Sequence, residues 1–332
     1  MSVPKESGLY FLADTMYCAI NVFLKLSKYR HLFCNFVPDC TYKGYKMKKF
    51  LILLAAALMP VFASAQAQIN TKKMKIADFP QKVTKIVLPG NTFYDGAFQE
   101  DISSRWRVSP YEFCTLEEFE GLKGNDQYYF LLLTQGQFRK EKEPGLQFLT
   151  LVKGGADAAK GIDEMLEVAT VPFAAADDPS GREMIYFPAL LDIIQNYALG
   201  SIEKDFSNLG GLSNFATSLS KSSEMDIVFA EEDLSAEITE DVRAEEFLNG
   251  MEIMEADEAD EVAEAGTPNT LVSYVVAPSN PIPGSFCYKI LIDANNHELY
   301  YFRKHKIGKK VGPGFLAEDI KRIAAPRPKN RQ

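Results

Sequence analysis

The chain has 332 residues, 46% of them hydrophobic and 24% charged, and a formal net charge of −9. That length is enough for one large domain, or two small ones, with a real core. The acidic balance argues against a nucleic-acid-binding role.

In chain order, the first informative stretch is Met47 to Gln68, MKKFLILLAAALMPVFASAQAQ. Lys48 and Lys49 precede an apolar run, and Ala63-Ser64-Ala65 supplies a small-x-small cleavage site, the layout of a secretory signal peptide over 47–65. The apolar part falls short of the roughly 20 residues needed to cross a bilayer. Cleavage after Ala65 leaves Gln66 as the first mature residue and places the protein in the periplasm or outside the cell. No cysteine follows the apolar core, so lipid attachment is not expected. Residues 1–46 then read as a mis-called N-terminal extension, with Met47 as the initiator; a genuine extension is the alternative.

Residues 1–65 hold eight Lys/Arg against three Asp/Glu, so the mature chain stands at −14. Its start, 66–82, has little apolar periodicity. Val83 to Leu88 reads as a strand closed by Pro89-Gly90. Asn91 can cap a helix carrying Phe93, Ala97, Ile102 and Trp106, stopped by Pro110. Tyr111 to Cys114 is a short strand, and Thr115 with Glu118 forms a capping box for the next helix. Gln127 to Thr134 is apolar on both faces, as in a sheet covered by helices. A hairpin region around Glu141 to Gly145 leads to strands at Leu146 to Val152 and Met165 to Phe173. A loop over Asp177 to Gly181 precedes a helix from Arg182 to Gly200, followed by broken helix and loop to Lys221.

From Glu224 to Glu264 there are 17 acidic residues and one base, Arg243. Met225 to Phe229 suggests a short strand. Ile238, Val242, Phe247, Met251 and Met254 suggest one helical stripe, and Asp257 to Gly266 has almost nothing to bury and reads as disordered. Order returns at Leu271 to Ala277. A hairpin follows, Phe286 to Ile292 and Glu298 to Ile307, around Asn295-Asn296, residues that tolerate positive φ. Gly312-Pro313-Gly314 breaks the chain before a helix, Phe315 to Ile323. From Phe302 to Gln332 ten Lys/Arg face two acids.

The pattern predicts an α/β or α+β fold: a mixed sheet covered by helices, with a C-terminal β-hairpin and a short terminal helix. The expected organisation is an α/β domain over 66–222 and an acidic, largely disordered insert over 223–269. Strands and a helix over 270–323 complete the same domain, before a basic tail at 324–332. No internal repeat at a fixed period is visible. The separated charges also allow the basic C-terminus to dock on the acidic segment within the molecule.

Chemistry is sparsely signalled. His297 and His305 are the mature histidines, eight positions apart in a strand-like run, about 26 Å of extended chain, so they read as a turn histidine and a surface strand histidine. Ser213 lies in no Gly-x-Ser-x-Gly elbow. Pro89-Gly90-Asn91 has neither a P-loop nor a dinucleotide signature. Lys309-Lys310 reads as a solvated basic loop, with phosphate or a lipid A headgroup the sharper alternative. The acidic segment lacks calcium-loop spacing. Cys114 and Cys287 could pair in an oxidising compartment or stay as two buried thiols. No catalytic, cofactor-binding or metal-ligating residue is assigned, and no cofactor.

Tyr288 to Ile307 (YKILIDANNHELYYFRKHKI) and the run IVLPGNTFYDGAFQEDI resemble uncharacterised exported proteins of Bacteroidetes. The element order is similar to the α/β domain of the TolB N-terminus and of curli-secretion-type envelope lipoproteins, over about 85–135 and 270–307. The Ile292-Asp293-Ala294 turn occupies the place of their Asp-based turn. The resemblance implies an envelope α/β domain and carries over no functional residue. The expected function is that of an exported periplasmic, non-catalytic envelope protein that binds another protein or a surface component. A secreted carboxylate-based hydrolase is the alternative.

Overall fold

The computed structural model describes residues 76–138, 141–204, 211–247 and 250–327. The expected extension 1–46, the signal peptide 47–65 and residues 328–332 of the basic tail lie outside the described residues.

The first half runs β1 (Val83–Val87), α1 (Thr92–Arg105), β2 (Tyr111–Cys114), α2 (Leu116–Leu122) and β3 (Tyr128–Gly136). It continues with β4 (Leu146–Lys153), β5 (Leu166–Ala175) and α3 (Arg182–Glu203). A single turn, α4 (Leu212–Phe215), leads to β6 (Asp226–Ala230), α5 (Glu240–Glu246), β7 (Met251–Met254) and α6 (Ala256–Glu264). Then come β8 (Thr270–Val276), β9 (Phe286–Asp293), β10 (Leu299–Lys306) and α7 (Ala317–Ala324).

The strands form two five-stranded mixed sheets, ordered β2-β1-β3-β4-β5 and β7-β6-β8-β9-β10. In the first, β1 is parallel to β2 and β3, and β3-β4 and β4-β5 are antiparallel. In the second, β6 is parallel to β7 and β8, and β8-β9 and β9-β10 are antiparallel. The chain therefore follows one path twice: strand, helix, strand, helix, three strands, helix. The fold is α/β as the pattern predicts, with two sheets where one was expected. The repetition is in the path and not in the side chains. Edge strand Tyr111-Glu112-Phe113-Cys114 corresponds to Met251-Glu252-Ile253-Met254, which shares only the glutamate. That is why no fixed period shows in the sequence.

Strand alternation divides the core. Phe130 and Leu132 of β3 pack outward with Phe119 of α2, whereas Leu131 faces the other way with Phe187 and Leu190 of α3. In the second sheet Leu291 and Phe229 pack with Ile320 and Ile323 of α7, while Val228 and Ile290 join the same central cluster as α3. The layers run helix, sheet, helix, sheet, helix, and α3 lies in the shared middle layer with α1 and α6. A helix there must be apolar all round. Tyr186, Phe187, Leu190, Leu191, Ile193, Ile194 and Tyr197 are accordingly buried.

Local signals act where the sequence places them. Thr115 Oγ1 accepts from the Glu118 N–H at 3.2 Å and Glu118 returns a carboxylate oxygen to the Thr115 N–H at 2.7 Å, completing the capping box of α2. Gly314 has φ +99, and a Cβ there would lie 2.6 Å from the Ser235 nitrogen, so the break before α7 requires glycine.

The acidic segment corrects two expectations. Residues 223–269 are not a largely disordered insert: they supply β6, α5, β7 and α6. The single stripe expected from Ile238 to Met254 is split, Met251–Met254 being an edge strand. Helix α6 buries Ala259 completely, with Ala256, Val262 and Ala263 packed beside it. Its small side chains let it approach α3 and the second sheet closely.

A basic-acidic contact within the molecule exists at the C-terminus, where Lys321 of α7 pairs with Glu246 of α5 at 3.4 Å. Cys114 and Cys287 are both free and buried, in different sheets. Among the described residues no helix is long and apolar enough to cross a membrane.

Candidate functional site

Two polar assemblies stand out in the middle layer, and one of them borders a cavity. The other is centred on Arg182, the first residue of α3. Its Nε meets Asp260 of α6 at 2.9 and 3.0 Å, and its Nη1 meets Asp233 at 3.0 Å and Glu232 at 2.7 Å. Tyr186 donates to the Ser273 carbonyl at 2.9 Å, and Ser273 Oγ donates to Asp233 Oδ2 at 2.5 Å. Burial pushes the Asp233 carboxyl up against the pull of Arg182. For Arg182, burial works against the charge and Asp233 and Asp260 more than offset it. The buried donors and acceptors here are spent on one another, with the Glu232 carboxylate reaching solvent, so this assembly joins the halves rather than receiving a ligand.

The assembly beside the cavity lies at the other end of α3. A cavity of about 380 Å³ is bounded by α3, the chain after α4 and the β9–β10 turn. That volume falls in the range of about 300–1,000 Å³ typical of small-molecule sites. Asn196, Thr217, Asn296, His297 and Glu298 give it polar groups; Ile193, Phe215 and Leu299 give it an apolar wall.

The turn that presents His297 is fixed by its own backbone. Asp293 Oδ1 accepts from the N–H groups of Asn295 and Asn296 at 2.9 and 3.0 Å, and Asn296 Oδ1 accepts from Glu298 N–H at 2.7 Å. The His297 N–H donates to the Asp293 carbonyl at 2.9 Å. The side chains of Asp293 and Asn296 thereby cap the turn, and the positive φ expected at Asn295-Asn296 falls on His297, at φ +60. A left-handed conformation costs a non-glycine residue on the order of 1 kcal/mol or more, and such residues concentrate at ligand sites.

The ring is held as firmly as the backbone. His297 Nδ1 lies 2.6 Å from Asp192 Oδ2, and the same oxygen accepts from Arg105 Nη1 at 3.1 Å. Gln195, itself buried, donates to Asp192 Oδ1 at 3.3 Å and accepts from the Arg107 N–H at 2.8 Å. A carboxylate only accepts, so Nδ1 carries the proton and the lone pair of the neutral ring is on Nε2. Nε2 has no hydrogen-bond partner among the described residues. On the far side Thr217 Oγ1 donates to Glu298 Oε1, and the Thr217 N–H donates to the Leu299 carbonyl at 2.7 Å.

The other candidates resolve into ordinary structure. The Gly90 N–H is taken by Asp95 Oδ1 at 2.9 Å, which closes the strand-to-helix turn. Ser213 Oγ donates to the Phe302 carbonyl at 2.9 Å. His305, through Nε2, donates to the Gly312 carbonyl at 2.8 Å, the opposite tautomer to His297, and it does not approach the cavity. Lys309 and Lys310 are exposed loop residues. His297 does sit in the turn, as the sequence suggests. Its pairing with Asp192, 105 positions earlier, gives no local signal.

No family model, no curated protein and no solved structure matches the chain.

Proposed function

We propose that the chain is an exported, non-catalytic protein of the periplasm or cell envelope that binds another protein or a surface component, and that the cavity beside His297 receives part of that partner. The observation that carries this reading is the held imidazole. His297 is kept at φ +60 with Nδ1 on Asp192, while Nε2 has no partner among the described residues at a cavity of ligand size. Folding places backbone strain on this residue and seats its ring on Asp192, itself held by Arg105 and Gln195, while the other ring nitrogen is left unused by the fold. The signal-like stretch before Gln66 and the similarity in element order to envelope α/β domains support the compartment.

A carboxylate-based hydrolase would need two acids about 5–9.5 Å apart around a scissile bond. Glu298 is the one carboxylate in this lining, and it already accepts from Thr217. The arrangement therefore favours binding.

The test is native mass spectrometry of the protein recovered from the periplasm, alongside the His297→Asn variant. Asparagine accepts the left-handed backbone but removes the ring. The expected result is a retained component on the parent protein that is lost or depleted in the variant. A component retained equally by both, or by neither, would overturn the reading.

A further inference from the structure

We infer that the cavity beside His297 takes a neutral, hydroxyl-rich ring: a saccharide unit, free or at the end of a chain. This rests on the cavity being the binding site and names the chemistry of its ligand.

The fold leaves several polar groups of the lining unspent. Asp192 is shared among His297, Arg105 and Gln195. Glu298 accepts from Thr217. Glu298 is exposed and takes a neutral hydroxyl donor, so it stays able to accept from a further hydroxyl on a ligand. An incoming anion would meet Glu298 in the wall and, behind it, an Asp192 whose charge is already matched by Arg105. An anion therefore finds no free counter-charge in the lining.

Other polar groups of the lining are uncommitted. They are Nε2 of His297 and the amide of Asn196, neither of which has a partner among the described residues. The NH₂ end of Asn296 joins them, its oxygen being committed to the Glu298 N–H. Together they offer both acceptors and donors within one rim. A hydroxyl group, which donates once and accepts twice, is the ligand group that uses such a mixture fully. Ile193, Phe215 and Leu299 add an apolar wall on one side. A sugar ring has the matching two-sided character, hydroxyls at its edge and C–H groups on its face. The held imidazole suits this role, because a fixed acceptor loses little freedom on binding.

Isothermal titration calorimetry on the mature chain tests the inference. The panel is glucose, galactose, mannose and N-acetylglucosamine, then maltose and chitobiose, with lysine methyl ester as the cation and inorganic phosphate as the anion. Saturable heat is expected from at least one sugar and from neither charged probe. A disaccharide binding more tightly than its monosaccharide would identify a chain end as the source; equal binding would identify the free sugar. His297→Asn and Asn196→Ala should each weaken binding roughly tenfold. Asn196 is exposed on α3 and alanine favours helix, so the second variant keeps the fold even if the first disturbs the turn.

Saturable binding of the amine or of phosphate, lost in Asn196→Ala, would overturn the sugar class while leaving the cavity as the site. Sugar binding unchanged in both variants would show the wrong site. No saturable binding by any sugar would overturn the inference, and the retained component in the mass spectrum would still decide the broader reading.

Discussion

Arg182 and Asp260 form a two-armed ion pair across the two halves of the fold, Nε to Oδ2 at 2.9 Å and Nη2 to Oδ1 at 3.0 Å. Arg182 opens the last helix of the first half and Asp260 lies on α6 of the second, so the contact ties one half to the other where Asp260 is buried and the Arg182 side chain nearly so. Arg182→Met should cost about 3–5 kcal/mol, because Asp233 and Asp260 would be left buried without their counter-charge. Urea unfolding would show this as a lower midpoint. Arg182→Lys should recover only part of the loss, since an ammonium cannot bridge both carboxylates in the same fork.

Helix α3 gives its side chains to a core that both sheets share. Leu190→Ala should therefore lower stability by about 2–5 kcal/mol in a single cooperative transition. Two separate transitions in the thermal melt would show that the halves unfold independently.

Removing residues 231–266 would take away α5, the edge strand β7 and the middle-layer helix α6. Loss of cooperative melting is the expected result. Neutralising exposed acids at the end of α6, as in Glu261→Gln and Glu264→Gln, should instead hold or raise Tm slightly, because negative charge is unfavourable at a helix C-terminus. Circular dichroism melts of the two variants would distinguish a folded segment from a dispensable one.

His305 and Asp78 contribute to the pH dependence of stability on the acid side. Burial holds the His305 ring below its ordinary 6.5. A depressed pKa contributes stability above the unfolded value that is lost as pH falls through the folded one, so stability should start to fall below about 6.5. For Asp78, burial favours the neutral acid, but Lys153, Lys82 and Tyr129 override it and hold the carboxyl well below its ordinary 3.8. Its contribution is kept at neutral pH and lost only under stronger acid. Urea titrations from pH 7 to 3 should show a shallower first decline in His305→Gln and a shallower second one in Asp78→Asn.

Burial raises the Cys114 thiol to about 11 and the Cys287 thiol to about 12. Lying in separate sheets, they should react with a thiol reagent only after denaturation, and a reducing agent should leave Tm unchanged. A non-reduced peptide map linking the two would contradict this.

Much of the fold was legible because its signals are local. The two-sided apolar run of Gln127 to Thr134, the Thr115–Glu118 capping box and the long apolar helix after Arg182 each declare themselves within a few residues. Helix α6 did not, because its buried stripe is made of alanines and one valine among five acidic neighbours, and small residues carry a weak hydrophobic signal. One of its acids, Asp260, is buried only because Arg182 arrives from 78 positions away. The doubled path escaped for a related reason: topology was repeated while side chains diverged. The cavity was least legible, since it depends on Asp192 and His297 meeting through the fold and on a turn that places positive φ at a histidine beside two asparagines.

The most direct measurement is the long-range ¹⁵N–¹H spectrum of the histidine rings, taken on the free protein and again with the retained component or a bound sugar. His297 should show a protonated Nδ1 and a bare Nε2, His305 the reverse, and only the His297 Nε2 signal should move on binding. A His297 ring with its proton on Nε2, or a ligand that leaves the His297 signals in place, would contradict the account.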